Sequence, residues 1–224
     1  MLEPIVNGKG DHSNPDCKLR ILFLGPHTDD VELGSGGTLI RFLKQKYDVM
    51  ITVFSTASDS LPEGLPKDTL KKEFEEVTTS LEVDTRIFDF KVRYLNFCRQ
   101  RILEELVKLN SDFSPDLVIG PSLNDFHQDH QTVANEMVRA FKRSASIICY
   151  ELPWNHLTFT TQLFVRLSRE DIEMKAKLLK SYKSQILANK PYFSDEFIYG
   201  LAKTRGIQCN ADYAEAFEIL RWRM

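Results

Sequence analysis

Short apolar runs alternating with segments of helical periodicity constrain this chain more than any other feature. The runs Leu19–Leu24, Val49–Phe54, Arg86–Phe90, Asp116–Ile119 and Ser146–Tyr150 are apolar and partly β-branched, and read as buried strands. Between them Leu70, Phe74, Val77 and Leu81 recur at helical spacing, with Lys71, Lys72, Glu75 and Glu76 opposite, which marks a surface helix covering a sheet. Ile102, Leu103, Leu106 and Val107 form a second apolar stripe, and Val133, Ala134, Met137, Val138 and Phe141 a third. A parallel neighbour is reached only through a crossover, so this alternation specifies βαβ units. The expected fold is α/β: a single-domain, Rossmann-like open sheet, mainly parallel, with helices on both faces. Beyond Glu151 the signal is less regular, and predicts one helix over Arg169–Leu187 and a late strand over Tyr213–Ile219.

With 224 residues, 42% of them hydrophobic and 27% charged, the chain is expected to be one domain over 1–224, with a flexible stretch over 1–15. A net charge of −3 and the lack of any basic run argue against a nucleic-acid partner. Met1–Lys18 is polar, and no stretch is long enough to cross a bilayer, so the expected location is cytoplasmic. Cys17, Cys98, Cys149 and Cys209 are widely separated and lack CxxC spacing, which fits free thiols in a reducing compartment. Nothing in the sequence fixes the oligomeric state, and a homo-oligomer stays open.

Ligands of open parallel sheets bind beyond the carboxyl ends of the strands, and the reactive side chains of this chain gather there. His27, Asp29 and Asp30 follow the first strand, while His127-Gln128-Asp129-His130 follows the fourth through the loop Gly120–Phe126. Three of the five histidines (His12, His27, His127, His130, His156) fall in these two acid-rich clusters. Adjacent aspartates in an extended turn point to opposite sides, so one can hold a metal while the other faces water. His27, one aspartate and His130 would close a three-ligand site with a position left for water, as in catalytic zinc. Iron or manganese would fit nearly as well.

Gly34, Gly36 and Gly37 lack the third glycine of a dinucleotide fingerprint, and the acids before them would repel a pyrophosphate. They read as close packing of helix on strand. His127 and His130, three apart, share one side of a helical turn; taken alone, the segment reads equally well as a helix capped by Asp125 with solvated histidines.

These motifs resemble the LmbE-like, or PIG-L-type, family of zinc-dependent N-deacetylases acting on N-acetylated sugars. The family's His-Pro-Asp-Asp, followed by Glu and Gly-Gly-Thr, is matched by His27-Thr28-Asp29-Asp30, Glu32 and Gly36-Gly37-Thr38. Its His-x-Asp-His is matched by His127-Gln128-Asp129-His130. Arg99-Gln100, Pro115–Val118, Tyr182–Gln185, Arg205-Gly206 and Tyr213–Phe217 extend the likeness over nearly the whole chain.

The resemblance implies that His27, Asp30 and His130 bind zinc and that Asp29 is the general base. It implies that His127 faces the acetyl group. Protonated, His127 would stabilise the oxyanion and protonate the leaving amine, with Asp129 raising its basicity through a hydrogen bond. Thr28 replaces the usual proline without touching a ligand atom. Many relatives carry an arginine in the helix after the second strand, where this chain offers only Lys67, Lys71 and Lys72. Arg99 and Arg205 are therefore the candidates for gripping the sugar or an attached phosphate. Trp154, His156, Phe159 and Phe164 could stack on a sugar ring, although core packing is the expectation for large aromatics.

The expected partner is a small N-acetylated amino sugar such as N-acetylglucosamine, free, nucleotide-linked or in a glycoconjugate, and the expected reaction is metal-dependent hydrolysis of its amide. Two alternatives are hydrolysis of another acyl amide and a noncatalytic sugar- or metal-binding module. A binding module needs neither the base nor the acid that Asp29 and His127 supply.

Overall fold

A computed structural model describes residues 18–223. The stretch 1–15 expected to be flexible, together with Cys17, lies outside them. The elements are β1 (Arg20–Gly25), α1 (Asp30–Lys44), β2 (Asp48–Val53), α2 (Thr69–Ser80), β3 (Asp84–Ile87), α3 (Arg99–Phe113), β4 (Leu117–Gly120), α4 (Gln128–Phe141) and β5 (Ser146–Tyr150). They continue with β6 (Leu163–Leu167), α5 (Arg169–Leu179), α6 (Lys183–Leu187), α7 (Asp195–Gln208) and β7 (Tyr213–Arg221). The seven strands form one sheet in the order β3-β2-β1-β4-β5-β7-β6. The first five run parallel, and β7 lies antiparallel to both β5 and β6.

The chain runs outward from β1 through β2 to β3, then returns to place β4 on the other side of β1. Strand order thus reverses between β1 and β4, and a crevice opens beyond their carboxyl ends. That is where the two histidine clusters emerge.

Alternation along β1 sends Ile21 and Phe23 to one face and Leu22 and Leu24 to the other. The first pair packs with Leu39, Phe74, Ile172 and Ile198 under α1, α2, α5 and α7; the second packs with Ile102, Leu106, Val133 and Met137 under α3 and α4. The helices therefore cover both faces, as the alternating pattern predicts. Each fully buried Leu or Phe in these layers contributes roughly 1.5–3 kcal/mol.

Helix α1 is broken at Ser35, whose φ of −149° is not helical. The groups released by the break find buried partners. Lys175 Nζ donates to the Leu33 carbonyl at 2.7 Å, and the Glu215 carboxylate accepts from Gly37 N at 2.9 Å and Thr38 N at 2.7 Å. Lys175 and Glu215 also pair with each other at 2.7 Å. The glycines of this helix serve close packing, as expected. A Cβ on Gly34 would fall 2.4 Å from the Tyr150 ring, and one on Gly37 would fall 2.4 Å from Leu167.

Four features differ from the sequence-based expectation. The third strand begins at Asp84 and ends at Ile87, although Phe88 N and Phe90 N still bond to the carbonyls of Val53 and Phe54. The helix expected over Arg169–Leu187 is two helices. It breaks at Lys180–Tyr182, where Tyr182 turns inward to donate to the Thr28 carbonyl at 2.6 Å. Strand β6 and helix α7 carry no period that would announce them, and β7 extends two residues beyond the expected end. Among the described residues no helix is long and apolar enough to cross a membrane. Cys98, Cys149 and Cys209 are free thiols.

Candidate active site

The turn after β1 carries His27, Thr28 and Asp29, and Asp30 opens α1. Asp30 Oδ2 accepts the His27 backbone N–H at 2.8 Å, so one carboxylate fixes the turn and is fixed by it. From the loop after β4, His130 enters on the first turn of α4. His27 Nδ1 lies 3.1 Å from Asp30 Oδ2, His130 Nε2 lies 3.2 Å from His27 Nδ1, and His130 Nε2 lies 3.3 Å from Asp30 Oδ2. All three residues are buried.

The far nitrogen of each imidazole is held by a carboxylate. His27 Nε2 donates to Asp129 Oδ2 at 3.1 Å, and His130 Nδ1 donates to Asp125 Oδ2 at 2.7 Å. With those nitrogens protonated, the near nitrogens present lone pairs. Two imidazole lone pairs and a carboxylate oxygen then converge with no donor among them, an arrangement that is repulsive unless a cation sits between.

Ligand atoms around a tetrahedral ion with bonds of about 2.0–2.1 Å stand roughly 3.3–3.4 Å apart, close to the spacing of this triangle. Carboxylates behind ligating histidines are what fix the tautomer and ring plane at metal sites. The donor set therefore fits a divalent ion of the zinc type. Without one, protons take its place. Burial disfavours charge on His130, but Asp30 and Asp125 outweigh it and push its pKa up to about 10. His27 is also raised, chiefly by Asp30 against its own burial, while Asp30 is held well below the usual carboxylate range by His130 and His27 despite its burial.

Asp29 occupies the N-cap position of α1, but its side chain makes no capping hydrogen bond. Burial raises its pKa, and the Asp30 charge raises it further. Next to Asp30 in the chain stands a carboxylate whose affinity for a proton is raised. Glu32 lies deeper, fully buried and with no donor to either oxygen; burial pushes its pKa to about 8.

His127 is brought to the same place. The ligand atoms of His27, His127 and His130 all lie within 4.8 Å of one another. Its contacts differ from the expected ones. The Asp129 carboxylate does not touch it: Asp129 bonds to His27 and accepts from the backbone N–H of Arg93 at 2.6 Å and of Leu95 at 3.2 Å. His127 Nδ1 instead accepts the Asp129 backbone N–H at 3.2 Å, which caps α4. That bond takes Nδ1 out of use as a ligand and leaves the proton on Nε2. Burial, reinforced by His130 and His27, pushes the His127 pKa down to about 4. With Nδ1 accepting, Nε2–H is the group that His127 can present as a donor.

Asp125 was legible only as a cap. It does accept the His127 backbone N–H, at 2.8 Å, but its second oxygen is the one that holds His130. An acid five residues ahead of a ligating histidine was the available signal, since such histidines need a partner on the far nitrogen.

The two arginines expected at the substrate each pair with a buried glutamate. Arg99, at the start of α3, binds the fully buried Glu136 through Nε at 2.8 Å and Nη2 at 2.7 Å. Arg205 binds the buried Glu151 through Nε at 2.9 Å and through Nη2. Each arginine supplies positive charge to a buried carboxylate, and Glu136 also accepts from Arg139 Nη1 at 2.7 Å. Trp154 is no core residue: it is 37% exposed and stacks on Tyr192 with centroids 3.9 Å apart and planes at 7°.

The PIG-L family, described as GlcNAc-PI de-N-acetylase, matches residues 22–141, a span that begins in β1, ends with α4 and includes every residue of the triangle. The chain is 30% identical over 184 residues to an Escherichia coli K12 protein described as an uncharacterized deacetylase, YaiS, covering 77% of this chain and 95% of that one. Its fold resembles that of an N,N'-diacetylchitobiose deacetylase from Pyrococcus horikoshii, with a TM-score of 0.73 and 19% identity over 90% of this chain and 84% of that one. It also resembles GalB, a 4-carboxy-2-hydroxymuconate hydratase from Pseudomonas putida KT2440, with a TM-score of 0.77 and 16% identity over 92% and 98% of the two chains. The fold is therefore shared by different chemistries, whereas the span matched to the family contains both motifs that build this site. On both the family match and the curated relative, the chain belongs to the PIG-L family of de-N-acetylases.

Proposed function

We propose that this chain is a metal-dependent N-deacetylase that hydrolyses the acetamide of an N-acetylated amino sugar, free, nucleotide-linked or in a glycoconjugate. His27, Asp30 and His130 would hold the ion, and two nitrogens with one oxygen suit zinc best, with iron(II) or manganese(II) next. A divalent ion in such a site supplies Lewis acidity that polarises a carbonyl and brings water toward ionisation near neutral pH. The remaining steps belong to the protein. Asp29, raised in basicity, takes the proton of the attacking water. His127 Nε2–H donates to the carbonyl oxygen as negative charge builds on it, and a neutral imidazole suffices for that. An amine leaves only when protonated, and Asp29 now carries the proton to give it, so acetate and the free amine result.

The observation that supports this reading most is the acceptor triangle of His27, Asp30 and His130 with the Asp29 carboxylate beside it. GalB shows that the fold alone does not choose a reaction. The test is acetate release from a panel of N-acetylglucosamine conjugates before chelation, after chelation and after zinc is restored. Loss and recovery of activity support the proposal; turnover untouched by chelation, or no acetate from any member of the panel, overturns it.

A further inference from the structure

The loop between β4 and α4 must present Asp125 to His130 within hydrogen-bond distance, yet loops ordinarily move more than the elements they join. Here the loop is tethered from the far side of β5. Glu218 lies in the middle of β7, opposite Cys149 in the antiparallel register, and is 4% exposed. Among the described residues no cation pairs with it. A buried carboxylate without a cation costs several kcal/mol unless hydrogen bonds satisfy it. Its partners are three neutral donors. Ser122 Oγ donates to Oε2 at 2.5 Å, Asn124 Nδ2 donates to Oε1 at 3.2 Å, and Thr160 N donates to Oε1 at 3.1 Å.

Two of those donors belong to the loop before α4 and the third to the segment between β5 and β6. The same two segments meet again beside the site: Phe126 N donates to the Asn155 carbonyl at 2.9 Å, and Asp125 forms an isolated bridge with His156. Ser122 Oγ in turn accepts Asn124 N at 3.0 Å, and the Ser122 carbonyl accepts Asp125 N at 3.3 Å. An unbroken chain of bonds thus runs from Glu218 through Ser122 to Asp125 and on to His130.

We propose that Glu218 is a positioning residue for the metal site, setting through Ser122 and Asp125 the orientation in which His130 offers Nε2. The inference rests on the proposed function, because it gives the triangle a metal to hold. A carboxylate suits the task since it only accepts, and all three neighbours only donate to it. Glutamine retains one accepting oxygen and can turn its amide toward Ser122 Oγ, whose hydroxyl can reverse.

The test measures zinc affinity by competition with a chromophoric chelator, on full-length protein, with folding followed by circular dichroism. E218A is expected to weaken zinc binding about tenfold, the lower end of what losing a direct outer partner of a ligand costs. E218Q should stay within about threefold of wild type. In a D125A background the same E218A change should leave affinity within about twofold, because the chain of bonds is already cut. S122A severs the link from the loop side and is expected to act like E218A, which keeps the test open should E218A not fold. Equal affinity in wild type, E218A and S122A overturns the inference, and so does an E218A effect of the same size with and without Asp125. Failure of wild type itself to bind zinc would instead overturn the proposed function, and this inference with it.

Discussion

Replacing Asp29 by asparagine separates the base from the site that surrounds it. The residue is 8% exposed and its side chain makes no capping hydrogen bond, so the exchange takes no partner from the helix end. Asparagine has nearly the same shape, and the triangle of His27, Asp30 and His130 is left intact. Burial of a charged group next to Asp30 is relieved, so stability should hold or rise slightly, within about 0.5 kcal/mol, the usual range for changes that break nothing. Turnover should suffer far more. A positioned general base contributes about 10²–10⁴ in rate, or roughly 2.7–5.5 kcal/mol of barrier, and here the same group also returns the proton to the amine. The assay is steady-state acetate release by D29N with an N-acetylated sugar found active for wild type, run beside zinc competition and thermal unfolding. The expected result is kcat lower by about 100-fold or more with little change in KM, zinc uptake close to wild type and an unchanged melting temperature. Activity above a tenth of wild type in zinc-loaded D29N would refute the assignment of Asp29 as base. Loss of zinc in step with activity would make it a ligand.

H130A removes a ligand and should lower zinc affinity by more than about 100-fold, beyond the loss that outer partners cause; competition titration checks it. The chelated protein should lose stability as pH rises. His130 has its pKa raised from 6.5 to about 10 in the folded state, so the stabilisation it lends is complete below pH 6.5 and is lost as pH climbs toward 10. Denaturant midpoints of chelated protein at pH 6 and pH 9 measure this, and a flat profile would contradict the proton's place in the triangle. K175M should destabilise by about 3–5 kcal/mol, since it leaves the buried Glu215 without its cation and the Leu33 carbonyl at the helix break without a donor. Urea unfolding reads the difference.

Much of this was legible in the sequence because the central strands of a parallel sheet are buried on both faces and leave plain apolar runs. Strands β1, β2, β4 and β5 fall within one residue of their expected starts for that reason. Strand β6 is an edge, its first three residues only half-buried and Arg166 exposed, so no such run marks it. The break between α5 and α6 was hidden because Tyr182 is apolar in pattern, while its hydroxyl has a tertiary partner 154 residues away in the turn after β1.

The convergence of the two clusters was legible from topology, since both follow strands that flank the reversal in strand order. The pairing of carboxylates with imidazoles was not. Asp129 reaches back to His27, 102 residues distant, and Asp125 takes His130, whereas the family resemblance implied Asp129 with His127. At a helix N-terminus neighbours diverge around the axis, so nearness in sequence says little about contact. The pairing of Arg99 with Glu136 and of Arg205 with Glu151 was hidden for a related reason: a guanidinium suits a substrate anion and a buried glutamate equally, so residue type alone does not announce the partner.

The central claim is that His27, Asp30 and His130 grip one divalent ion. Metal analysis of the purified protein after zinc loading and dialysis, combined with X-ray absorption at the zinc edge, tests it most directly. The account predicts about one ion per chain, a first shell of nitrogen and oxygen at about 2.0–2.1 Å with two imidazoles, and loss of that ion in a H27A/H130A double variant. No bound ion, a sulfur-containing shell, or an ion retained when both imidazoles are gone would contradict it.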